Sequence, residues 1–187
     1  MRLFVALEIP SAVRENFAAL LEFLRAVSPQ TRWVRPENLH VTLKFMGEVP
    51  ETKLAAACSA LVGVRSNQPV TVDFRGLGFF PNEKRPRVFW AGLEASPNLK
   101  TLAADIQSAM EKLGMPREQR LFSPHLTLAR FASPGLPDKL RFAIQENRAR
   151  EFGSLRTNQY HLIESKLKPS GAEYTTLESF PFVAAEA

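Results

Sequence analysis

The sequence predicts an α+β fold in two pseudo-symmetric lobes, each an antiparallel sheet with helices packed on the outside, meeting at a central cleft. Three observations lead there. Strand-like and helix-like stretches are interspersed, but several strands follow one another directly, which favours antiparallel sheets over a doubly wound parallel one. The segment His40-Val41-Thr42-Leu43 recurs as His125-Leu126-Thr127-Leu128, once near the middle of each half, and matching halves would bring the copies together across a shared groove. No low-complexity stretch or flexible linker interrupts the 187 residues, 45% of them hydrophobic, so residues 1–187 read as a single domain of two intertwined lobes.

Residues 2–9 are apolar and β-favouring, a strand that stops at Pro10. Ser11 is placed to cap a helix whose Val13, Phe17, Leu20, Leu21 and Leu24 follow helical spacing. Trp33-Val34 is a short extended piece and Arg35-Pro36-Glu37-Asn38 a loop, from which 39–46 emerges as a strand. An alanine-rich helix fits 51–64, and strands over 70–79 and 87–93 flank a polar, basic turn. In the second half Ser96-Pro97 opens a helix that Gly114 ends, and Ser123-Pro124 introduces a strand over 125–131. A helix over 136–147 follows, then strands over 152–156, 160–167 and 174–182, the last two divided by Pro169-Ser170-Gly171.

With 24 Lys+Arg against 19 Asp+Glu, a net charge of +5 and a pI near 9.7, the surface suits polyanions, although so modest an excess also fits a plain soluble domain. The single cysteine, Cys58, excludes an internal disulfide framework and a thiolate zinc site, and makes a reducing cytoplasm the expected compartment. Its apolar neighbours predict a buried thiol on a helix. The N-terminal apolar run is too short for a signal sequence, and no stretch reaches membrane-spanning length, so no membrane partner is expected.

Chemistry enters with the repeat. Successive strand side chains alternate between faces, so His40 and Thr42 project together while Val41 and Leu43 point back, and the second copy behaves alike. Two imidazoles and two hydroxyls thus converge if the lobes pack face to face. An imidazole titrates near pH 6.5, so one can be neutral while the other is protonated. That pairing suits in-line displacement at phosphorus, one ring taking a proton from the nucleophile and the other protonating the departing oxygen. The threonine hydroxyls can donate to non-bridging oxygens. No metal is required, and no metal-ligand spacing accompanies either histidine. One His-x-Thr is weak evidence, but with three histidines in the chain two such placements arise by chance in roughly one sequence in a hundred.

The residues around the repeat extend the pattern: Arg2-Leu3-Phe4-Val5-Ala6-Leu7, the block from Arg32-Trp33-Val34-Arg35-Pro36-Glu37-Asn38 through His40 to Gly47-Glu48, Ser123-Pro124-His125 to Ala129-Arg130, and Glu164-Ser165-Lys166-Leu167 with Gly171 and Tyr174. Over nearly the whole chain this resembles the two-histidine (2H) phosphoesterase superfamily, specifically its bacterial and archaeal RNA 2′,3′-cyclic phosphodiesterases, long called 2′-5′ RNA ligases. The resemblance implies a bilobal α+β fold with a tetrad of His40, Thr42, His125 and Thr127. It implies hydrolysis of a terminal 2′,3′-cyclic phosphate to a 2′-phosphate without a cofactor, His40 as proton donor to O3′ and His125 as proton acceptor from water. RNA with cyclic phosphate ends, tRNA fragments among them, and small cyclic nucleotides are then the partners of a monomer.

Phe45 and Arg130, five residues beyond each histidine, are expected to stack on the terminal base and to neutralise the phosphate. That odd spacing aims them at the wrong face of a flat strand, so a bulge, a strong twist or the strand's end is required. A core position is the alternative for Phe45. His161 lacks the partner threonine and reads as structural, and Trp33 as a wedge against the core. Lys84, Arg85 and Arg87, like Arg35 and Lys44, read as solvated charges before RNA guides. Two other functions fit the motif: an ATP-independent 2′-5′ ligase of tRNA halves, and a module that binds RNA without turnover.

Overall fold

The structure, a computed structural model, describes residues 1–133 and 135–182, so the end of the predicted 1–187 unit lies outside the described residues. Strand β1 (Arg2–Glu8) leads into helix α1 (Ser11–Val27). Ser11 does not cap that helix: Pro10, with φ −64° and ψ 154°, already holds the extended cap conformation, and its carbonyl accepts the Arg14 N–H at 2.9 Å. Ser11 becomes the first helical residue instead.

The remaining elements keep the predicted order. Strands β2 (Arg32–Trp33) and β3 (His40–Glu48) are separated by a 3-10 turn at Pro36–Asn38, where a loop is predicted. A second 3-10 turn, Glu51–Lys53, takes the first residues of the predicted alanine-rich helix and leaves α2 as Leu54–Val62. Next come β4 (Val70–Phe80), β5 (Val88–Ala95), α3 (Asn98–Glu111) and β6 (His125–Arg130). The chain closes with α4 (Asp138–Glu146), β7 (Glu151–Thr157), β8 (Gln159–Lys168) and β9 (Gly171–Pro181). Among the described residues no helix is long and apolar enough to cross a membrane.

Two antiparallel sheets form, a four-stranded one in the order β3-β1-β8-β9 and a five-stranded one in the order β2-β6-β5-β4-β7. Two helices cross between them. α1 departs from β1 in the first sheet yet packs on β7 of the second and on α4, whereas α3 departs from β5 in the second sheet and packs on β3 of the first. Phe17 of α1 is the clearest case, fully buried and stacked on Phe152 of β7 at 4.3 Å between ring centroids. Leu3, Val5 and Leu7 of β1 face this shared core, while Phe4 and Ala6 form a small separate cluster with Ile163 on the opposite face. That opposite face carries the first motif.

Candidate active site

β3 and β6 belong to different sheets and touch each other, so the two copies of the repeat lie on adjoining strands. His40 is the first residue of β3 and His125 the first of β6. From each histidine onward, burial runs half-buried, buried, half-buried, buried, buried, exposed. The doubled buried pair marks a β-bulge. Across from β1, Thr42 pairs with Ala6 and Lys44 with Val5, leaving Leu43 extra; across from β5, Thr127 pairs with Trp90 and Ala129 with Phe89, leaving Leu128 extra. An extra residue inverts the alternation, so the fifth position rejoins the face of histidine and threonine. Phe45 and Arg130 thereby share their histidine's face, and Phe45 is 65% exposed, which removes the reading as a core aromatic.

Both histidines are oriented alike. His40 Nδ1 lies 3.1 Å from the Asn38 carbonyl and His125 Nδ1 lies 2.8 Å from the Ser123 carbonyl, each two residues back along the chain. A carbonyl can only accept, so each Nδ1 carries the proton, and Nε2 is left with a lone pair in the neutral ring or a donor in the charged one. Burial lowers the pKa of His40, and the charges of Arg14 and His161 add to this, against the Asn38 carbonyl and the Glu8 carboxylate, which raise it.

Several neighbours of the two His-Thr pairs carry no sequence motif. On the first sheet, Glu8 stands directly across from His40. Phe4 and Tyr174 flank the His40 ring at centroid distances of 6.2 and 5.8 Å, and Phe4 lies 6.0 Å from Phe45. His161 is buried on the same face, with Nδ1 2.8 Å from Ser179 Oγ and Nε2 3.8 Å from Glu8 Oε2. On the second sheet, Phe80 meets His125 edge-on at 5.0 Å, and Trp90, opposite Thr127, lies 5.3 Å from Phe80. The Trp90 ring rests on Gly78, where any Cβ would overlap it. Alternation along β1 and β5 was the available signal for these residues, but it shows a face without saying what the face meets.

The cations divide. Arg35 Nη2 donates to the Ala172 carbonyl at 3.2 Å, and Asn38 Nδ2 to the same oxygen at 2.9 Å, so together they hold the β8–β9 hairpin that brings Tyr174 to His40. Lys44 is buried rather than solvated: on the far side of the bulge its ammonium donates to Gln107 Oε1 at 2.8 Å and to the Pro116 carbonyl at 3.1 Å, and burial lowers its pKa. Lys84 and Arg85 stay exposed in a turn that Asn82 Oδ1 braces by accepting their backbone N–H groups. Trp33 packs edge-on against Phe89 as a wedge. Cys58 is half-buried rather than fully enclosed, and burial pushes its thiol up to about 11. Among the described residues, no group of three or more His, Cys, Asp or Glu could hold a metal ion.

This architecture is shared with known proteins. An RNA 2′,3′-cyclic phosphodiesterase of Archaeoglobus fulgidus is 38% identical over 182 residues, covering 96% of this chain and 99% of that one. Its namesake from Methanothermobacter thermautotrophicus is 35% identical over 181 residues, covering 96% and 98%. Among solved structures, a Thermus thermophilus protein superposes with a TM-score of 0.77 at 35% identity, covering 97% of this chain and 98% of its own. E. coli LigT complexed with 3′-AMP gives 0.76 at 29% identity, covering 97% of each. The profile of the LigT-like phosphoesterases matches residues 7–90 and again 93–174, one copy per motif, and the chain belongs to that family.

Proposed function

We propose that the protein is an RNA 2′,3′-cyclic phosphodiesterase that opens a terminal cyclic phosphate to a 2′-phosphate. The observation that carries this reading is the matched tethering of the two histidines, each with Nδ1 on a carbonyl and Nε2 left for chemistry. The names of the archaeal relatives and the 3′-AMP bound by E. coli LigT support the substrate class.

Water attacks phosphorus in line with O3′. Neutral His125 takes its proton at Nε2, the P–O3′ bond breaks, and protonated His40 delivers a proton from Nε2 to O3′. Thr42 and Thr127 donate to the non-bridging oxygens, Arg130 offsets their charge, and Phe45 stacks on the terminal base. His40, held below the usual imidazole range by burial, is largely neutral in the free enzyme at neutral pH. The anionic phosphate raises it on binding, so the acid is charged when it is needed. No step passes through a metal ion. tRNA fragments with cyclic phosphate ends and small cyclic nucleotides are substrates, and the enzyme works as a monomer in the cytoplasm.

The test is an RNA with a 2′,3′-cyclic phosphate end, incubated with the protein in EDTA. The expected product is a 2′-phosphate end; a 3′-phosphate, or activity lost to the chelator, would sink the mechanism. With tRNA halves, 2′-phosphate ends are expected, and efficient joining would make the protein a ligase.

A further inference from the structure

The proposed reaction sets Arg130 against the reacting phosphate and gives no task to the residue beside it. β2 pairs with β6 in the register Arg32 to Arg130 and Trp33 to Ala129. Trp33 is fixed on the core face, 6.2 Å from the Phe89 ring, with its Nε1 donating to the Ser28 carbonyl at 2.9 Å. The Val34 N–H adds a bond to the Leu128 carbonyl at 2.9 Å. Strand alternation then sends Arg32 to the other face, the one that holds His125, Thr127 and Arg130. Two exposed arginines therefore stand directly opposite each other on neighbouring strands, and like charges so placed repel.

Neither has a carboxylate partner among the described residues, so nothing there offsets the repulsion between them. A repelling pair pinned beside a phosphate site is relieved by a polyanion. We infer that Arg32 and Arg130 clamp consecutive phosphates of one RNA strand, Arg130 on the reacting phosphate and Arg32 on the neighbouring phosphodiester. The Arg130 half rests on the reading proposed above. The clamp makes an RNA end the preferred substrate over a mononucleoside cyclic phosphate, which has no second phosphate to offer.

The test is fluorescence anisotropy with a short labelled RNA ending in a 2′-phosphate, titrated at several salt concentrations. Arg32→Ala should weaken binding about tenfold near physiological salt and flatten the log–log salt slope by about one, while Arg32→Lys should keep the slope. In turnover, the ratio of kcat/KM for a cyclic-phosphate-ended RNA to that for a nucleoside cyclic phosphate should fall by about the same factor in Arg32→Ala. An unaltered slope and ratio would overturn the clamp. So would an equal loss on both substrates, which would put Arg32 on the reacting phosphate or in the fold. Anisotropy needs no turnover, so a wild-type protein that fails to hydrolyse either substrate counts against the phosphodiesterase reading while the slope still decides the clamp.

Discussion

Among single residues, the two histidines are the sharpest test of the mechanism. His40→Ala and His125→Ala should each lower kcat by about 10²–10⁴-fold, the range of a lost general acid or base, and circular dichroism should report an intact fold. A variant that keeps most of its turnover would remove that histidine from proton transfer. Glu8 supplies a pH test. Its carboxylate raises the pKa of His40, so Glu8→Gln should move the alkaline limb of kcat to lower pH. Turnover on the alkaline limb should drop about three- to tenfold, and the loss should vanish at low pH, where His40 is protonated in either protein. A uniform loss at all pH values would mean that Glu8 supports packing rather than charge. The chain has three histidines, so NMR titration can follow each directly. Of the candidate site, the two His-Thr pairs were legible because side-chain identity and a period of two suffice to pair His with Thr. Glu8, Phe80 and Trp90 were not, because they become neighbours only through strand pairing.

Among the strands and helices, the bulges at Leu43 and Leu128 decide what the fifth residue does. Sequence spacing shows that a bulge is needed for Phe45 and Arg130 to serve the site, but not that one forms. Its formation depends on the partner strands, β1 and β5, which hold the flanking residues in register. Gly78 is the matching constraint on the second sheet, since a side chain there would overlap the Trp90 ring. Gly78→Ala should tilt Trp90 away from Thr127. A change in tryptophan emission together with reduced kcat/KM is the expected outcome, and an unchanged spectrum would show that the ring does not rest where the packing has it. The helix ends carry a smaller lesson. Ser11 has a capping side chain, but Pro10 before it is already extended, and backbone geometry took precedence over side-chain preference.

Across the molecule, the crossing of α1 and α3 between sheets ties the halves into one cooperative unit. Unfolding in urea should therefore give coincident transitions by circular dichroism and tryptophan fluorescence. Two separated transitions would mean that the lobes fold independently. Phe17 is the centre of this coupling, buried between Phe74 and Phe152. Phe17→Ala should destabilise by about 3–5 kcal/mol, read from the urea midpoint, because it leaves a cavity that the adjoining paired strands β4 and β7 cannot collapse to fill.

Local periodicity and a repeat visible along the chain were enough to set the order of strands and helices, the antiparallel class, and the pairing of His40 with Thr42 and His125 with Thr127 on matched strands. Folding in three dimensions was needed to make α1 and α3 cross over, to turn Phe45 and Arg130 onto the face of the two histidines through twin bulges, and to stand Arg32 opposite Arg130. It also buried Lys44. Each of those outcomes depends on pairing register or on packing between residues far apart in sequence, and a one-dimensional pattern carries the alternation of a strand but not the neighbour against which it is set.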